Sequence, residues 1–219
     1  MYELPDLSSR DDEVAELLAA LGSMAPASDD SARIARLRAL EQLKSAAAAA
    51  QAVETAAFVR SQRAQQRAAG VKAERVGRGI AAQVGLALRV SPHRAQRYVG
   101  WSVILTSELP HTFAALARGE TSEWRAQLVA RETIFLSRAD RAAIDAALGP
   151  RLEGLGDRAV EAQTRRLAYR ADPAGFVERA RAAVKDRRVS VRPAPEAMVR
   201  LSALLPAAQI GRASCRERV

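Results

Sequence analysis

Between Asp30 and Gly70 the apolar positions recur with a helical period, and neither glycine nor proline interrupts them. Ile34, Leu37, Leu40, Leu43, Ala47, Ala50, Val53 and Ala57 trace an apolar stripe, which predicts one helix over residues 31–69, capped by Asp30 or Ser31. Such a helix spans roughly 55 to 60 Å and suits a spine, half of a hairpin or an oligomer seam. Further on, Ile80, Val84 and either Ala87 or Leu88 stand at helical spacing, Val90-Ser91-Pro92 breaks the pattern, and Ala95, Tyr98 and Val99 resume it. Two helices meeting at a tight corner follow, with Ser91 as N-cap and Pro92 at the first helical position. The second helix runs to about Glu108, before Leu109-Pro110.

Shorter helical segments come next: His111 to Arg118, closed by Gly119, then one from Thr121 or Ser122 through Trp124, Leu128, Val129 and Ile134. Ser137 with Asp140 is a capping-box-like start for Arg138 to Leu148, and Gly149-Pro150 closes that helix. Asp157 to Tyr169 turns Val160, Leu167 and Ala168 inward, and Asp172-Pro173 opens a helix through Phe176, Val177, Ala180 and Val184. Its outer face carries Arg179, Arg181, Lys185, Arg187 and Arg188, interleaved with Glu178 and Asp186 at pairing distance.

The period changes at Arg188, and Arg188 to Arg192 with Met198 to Leu204 read as a β-hairpin around Pro193 to Ala197. Two strands alone are marginal, so the hairpin should pack on a helix or pair with strands further on. Ahead of the long helix, Met1 to Asp30 is acidic, with an amphipathic run from Asp11 to Leu21 (Val14, Leu17, Leu18, Leu21). The expected division is a loosely ordered leader (1–30), a helical domain (31–187), a hairpin (188–205) beginning a truncated region, and an incomplete tail (206–219). The fold class is all-α: a multi-helix bundle with a long N-terminal helix, a helix-turn-helix-like hairpin and a small C-terminal β-hairpin.

Composition supports that picture, because aromatics at 4% leave small aliphatic side chains to fill a close-packed helical core. Only three of the 34 basic residues are lysine, an arginine and alanine bias typical of GC-rich coding sequence, so arginine abundance alone argues little. Distribution argues more than the net charge of +9. Residues 1–30 hold eight acidic groups and one basic, net −7, whereas 31–219 hold 33 basic and 17 acidic, net +16. From Arg60 to Arg97 nine basic residues face Glu74 alone, a density that favours a polyanion by releasing condensed counterions. The bland reading is a solvated face, partly neutralised by the acidic leader.

Turning Ala95, Tyr98 and Val99 inward leaves His93, Arg94, Gln96 and Arg97 on the free side as groove residues, with Arg75 and Arg78 in the basic segment before them. Arginine can chelate a guanine edge, glutamine an adenine edge, and a helix N-terminus favours phosphate. The spacing of Val84, Leu88, Val90, Ser91, Ala95 and Tyr98 matches helix-turn-helix DNA readers, except that Arg89 holds a turn position usually given to glycine. That exchange predicts a looser corner. The same residues also fit a helical hairpin inside a bundle with a solvated basic face.

Chemistry of other kinds finds little support. Cys215 is the only cysteine and His93 and His111 the only histidines, so no cofactor or metal site is expected in this chain. His111, after a proline, suits a capping or surface role. No nucleophile, base and orienting group stand at a convincing spacing. With no basic-then-apolar leader and no bilayer-length apolar run, the expectation is a cytoplasmic chain without a membrane partner. The rival to DNA as partner is a protein-interaction scaffold or homo-oligomer built through the long helix 31–69.

From Arg33 to Gln209 the chain resembles the actinobacterial helical domain of unknown function found upstream of HNH endonuclease modules. The matching stretches are LALRVSPHRAQRYV, LPHTFAALARGETSEWRAQLVARET, LSRADRAAID, ADPAGFVERARAAVKDRRVSVRPAPEAM and LSALLP. Members often place glycine in the hairpin turn where Ala197 stands. The resemblance implies a longer protein whose C-terminal HNH module cuts DNA at a histidine site holding a divalent metal. Beyond Leu205 only Glu217 could ligate one, and residues 210–219 read like translated sequencing-adapter DNA.

Overall fold

The structure, a computed structural model, describes residues 8–206. The chain runs α1 (Ser8–Gly22), α2 (Asp30–Ala68), α3 (Ile80–Ala87), α4 (Pro92–Glu108), α5 (Pro110–Ala117), α6 (Glu123–Thr133), α7 (Arg138–Leu148), α8 (Asp157–Ala171), α9 (Pro173–Ala183), β1 (Arg188–Pro193) and β2 (Val199–Leu204). The fold is all-α apart from the terminal hairpin. The expected tail from 207 on, with its adapter-like residues 210–219, and the first seven residues of the leader lie outside the described residues.

Short polar side chains set the helix starts as their spacing predicts. Oxygens of Ser91, Ser122, Ser137 and Asp172 accept the backbone N–H three residues on, at 3.4, 3.3, 3.1 and 2.8 Å. At α2 the cap is Asp29, not Asp30 or Ser31: its carboxylate accepts from Ala32 N at 2.9 Å. α7 ends at Leu148 as its spacing predicts, and Gly149-Pro150 then opens a 3-10 segment that runs to Gly154.

α2 departs from its predicted stripe. The residues it buries are Ser45, Ala48, Ala49, Ala52, Thr55, Ala56 and Val59, while Ile34, Leu37, Leu43, Ala47, Ala50 and Val53 are exposed. A run of three-residue steps drifts about 60° per step around a 3.6-residue helix, so the predicted positions wind around the surface. The buried set alternates threes and fours and holds one face. Its alanines let α4 and α5 approach closely, and Gly119, just past α5 at φ +73°, lies where a Cβ would sit 2.8 Å from Gln42 Cα.

The main core joins Ala49 and Ala52 to Trp101, Leu105, Leu109, Leu116, Leu128, Val129, Leu148, Leu152 and Val160. Two buried polar groups tie it together across long sequence distances. Asp145 on α7, fully buried, accepts the backbone N–H of His111 (2.7 Å) and Thr112 (2.9 Å) and the Thr112 hydroxyl (2.6 Å). It therefore caps α5, whose own N-cap position, Leu109, offers no side-chain acceptor. Arg141, also buried, closes the C-terminal end of α6: its guanidinium donates to the carbonyls of Thr133, Ile134 and Leu136 and pairs with Glu108.

The C-terminal part is more open than its pattern predicts. No residue of α9 is buried, and Phe176, Val177 and Val184 remain exposed, the main contacts of this helix being with α8 and the turn that follows it. Arg179 leaves the predicted basic face: it pairs with Asp172 at 3.2 Å and lies 5.1 Å over the Phe135 ring. Glu178 and Asp186 make no ion pair among the described residues. The hairpin pairs Val191 with Leu201 and Arg192 with Arg200, turning through Glu196 and Ala197 at φ +60° and +59°. Both strands are almost wholly exposed, so the expected packing of the hairpin on a helix is not formed; an open cleft lies between the end of α9 and Leu204, Leu205 and Pro206.

Candidate nucleic-acid interface

α3 and α4 form the helix-turn-helix-like pair, and their corner is closed despite Arg89. Val90 N donates to Gly85 O at 2.9 Å and Arg89 N to Leu86 O at 3.2 Å, a Schellman ending with Arg89 at φ +53°. The expectation of a looser corner is corrected: arginine takes the left-handed conformation that glycine takes more cheaply. Tight contact is visible at Gly85, where a Cβ would meet Ala95 Cβ at 3.0 Å. For a non-glycine residue the left-handed backbone costs roughly 1–2 kcal/mol. Arg89→Gly is therefore expected to raise stability by about 1 kcal/mol in urea unfolding while weakening any polyanion binding, because it relieves strain and removes a cation.

On α4 the inward residues are Ala95, Tyr98 and Val99, and His93, Arg94, Gln96 and Arg97 are all exposed. Val59 of α2 joins Ile80, Val84 and Val99 in a second apolar cluster, which seats the pair on the C-terminal half of α2. Leu88, rather than Ala87, supplies the last apolar contact of α3. The Tyr98 ring lies 5.2 Å from Trp101, and its hydroxyl donates to Gln51 Oε1 at 3.3 Å. Burial pushes its phenol up to about 12, Glu123 adding and Ser102 opposing.

The segment between α2 and α3 is fastened by Gln66, whose amide oxygen accepts from Gly77 N at 2.6 Å and whose nitrogen donates to Arg78 O at 3.2 Å. Gly70, Gly77 and Gly79 hold positive φ along it. Folded back this way, the loop forms with α2 an open groove of about 380 Å³ lined by Arg63, Arg67, Val71, Ala73 and Val76. Arg75 and Arg78 are exposed on the same loop.

All nine basic residues from Arg60 to Arg97 are exposed, and none makes an ion pair among the described residues. On α6 and α8, Arg125, Arg131 and Arg165 are ion-paired instead, while Arg158, Arg166 and Arg170 are exposed and make no ion pair among the described residues. Arg131 and Arg165 share Glu132 and Glu161 at 2.8–2.9 Å, and Arg125 pairs with Asp157 at 2.8 Å. Arg165, through its bond to Glu132, is held above the ordinary guanidinium range. Arg63, Arg67 and Arg89 thus join the predicted site residues. Their signal in the sequence is that no acidic residue stands three or four places from any of them.

Among the described residues no group of three or more His, Cys, Asp or Glu is placed to hold a metal ion, and no helix is long and apolar enough to cross a membrane. Fold and surface together define a helical domain bearing a helix-turn-helix-like pair beside an unneutralised cationic loop. The chain belongs to the family described as Domain of unknown function (DUF222), which matches residues 37–213. No curated protein and no solved structure matches it.

Proposed function

We propose that this domain binds duplex DNA through its cationic end, using phosphate contacts from Arg63, Arg67, Arg75, Arg78 and Arg89 and groove contacts from His93, Arg94, Gln96 and Arg97. One observation carries the reading: nine exposed cations without an ion pair among the described residues fall between Arg60 and Arg97, around the helix-turn-helix-like pair, and Glu74 is the only acidic residue in that stretch. A folded protein leaves such a concentration of like charge self-repelling, and a polyanion relieves it. The likeness to domains preceding HNH modules supplies a setting, in which this part holds DNA in the cytoplasm while a separate module, with its own divalent metal, breaks the bond.

The test compares two double variants of the full chain on one duplex. Arg94→Ala with Arg97→Ala is expected to weaken binding at least about tenfold. Arg131→Ala with Arg165→Ala, which removes the same formal charge from already paired positions, should change it less than about threefold. Equal losses from the two pairs, or no binding at micromolar protein, would overturn the reading.

A further inference from the structure

At the opposite end of α2 the molecule leaves a different surface uncovered. α1 places Val14, Leu17, Leu18 and Leu21 in one i, i+3, i+4, i+7 stripe, 58%, 56%, 65% and 36% exposed. On α2, Ile34 and Leu37 stand three turns before Ser45 and Ala48 and so continue the core-facing side of that helix, yet they are 61% and 62% exposed. Half-buried Leu40 and exposed Leu43 widen the strip. From Asp30 to Lys44 no residue of α2 is buried.

These two surfaces match each other. α1 has 15 residues, and the uncovered part of α2, residues 30–44, has the same number, so both are roughly 22 Å long. Among the described side chains α1 carries Glu13 and Glu16 with no basic residue, whereas residues 30–44 carry Arg33, Arg36, Arg38 and Lys44 against Asp30 and Glu41. The charges are complementary, −2 against +2. The linker between them is fastened to α2: Arg36 donates to the Ala25 carbonyl, Ala27 is buried, and Asp29 caps the helix. α1 leaves that anchored corner with its stripe turned to solvent.

We infer that α1 of one copy packs along residues 30–44 of α2 in a second copy, and reciprocally, giving a two-fold dimer that leaves the cationic ends free. A two-fold axis makes each surface meet its complement twice, and exchange of identical elements is a low-cost route to such dimers. With the seven exposed side chains from Val14 to Leu43 offering roughly 100 Å² apiece, each copy approaches the roughly 800 Å² per partner that standard interfaces bury. The assembly goes beyond DNA binding and uses none of its residues, so either can fail alone.

Sedimentation velocity on the full chain over a range of concentrations is the test. A dimer is expected, and Leu17→Glu with Leu18→Glu should weaken association at least tenfold with unchanged far-UV circular dichroism, since both positions are exposed. In a Cys215→Ser background, Leu18→Cys with Leu37→Cys should cross-link between chains on mild oxidation. A monomer at every concentration, a dimer indifferent to the glutamates, or a disulfide formed within one chain would each overturn the inference.

Discussion

Raising salt from 50 to 200 mM is expected to weaken duplex DNA binding on the order of 10³-fold, if about six of the nine unpaired cations meet phosphates. Each phosphate neutralised by protein releases close to 0.9 of a condensed counterion, and the entropy of that release falls as bulk salt rises. The slope of log affinity against log salt therefore counts contacts. Removing Arg94 and Arg97 should lower its magnitude by close to 2 if both reach phosphates. A smaller change accompanied by lost sequence preference would put them on base edges instead. Fluorescence anisotropy with one labelled duplex at four or five salt concentrations measures both quantities. A flat salt response would mean that the exposed arginines are a solvated face only.

The largest loss of stability is expected from Asp145→Ala, about 3 kcal/mol, or roughly 10 °C in melting temperature for a domain of this size. The carboxylate satisfies two backbone donors and one hydroxyl in a site with no access to water. Alanine strands all three and leaves the α5 N-terminus without its negative charge. Asp145→Asn keeps one acceptor oxygen and should cost about half as much. Thermal unfolding followed by circular dichroism separates the two variants. An alanine variant within 1 kcal/mol of the parent would show that the end of α5 finds another partner.

Asp145 also marks where sequence reading stops. Caps that act within three residues, at Ser91, Ser122, Ser137 and Asp172, are local chemistry and were legible as such. The contacts of Asp145 with His111 and Thr112, and of Arg141 with Glu108, join residues more than thirty places apart, and spacing along one chain carries no trace of them. The inward choice of Ala95, Tyr98 and Val99 was legible because α3 supplies an adjacent partner for them. The buried side of α2 was not, since its alanine-rich middle is apolar nearly all round and the packing of α4 and α5 decides which alanines go inside. At the candidate interface Arg94 and Arg97 were legible from the helix face left free by Ala95, Tyr98 and Val99, and Arg75 and Arg78 from the basic run before it. Arg63, Arg67 and Arg89 lie in the same basic run, and what the fold adds is their exposure, with Arg63 and Arg67 lining the groove beside the loop.

α2 runs for 39 residues without glycine or proline. Such a rod has no hinge to absorb a change of length, so the number of residues between its ends fixes both their distance and their rotational phase. One residue inserted into its middle would twist one end by roughly 100° relative to the other, and four would nearly restore the alignment. The helix thus acts as a ruler whose graduations are counted in turns.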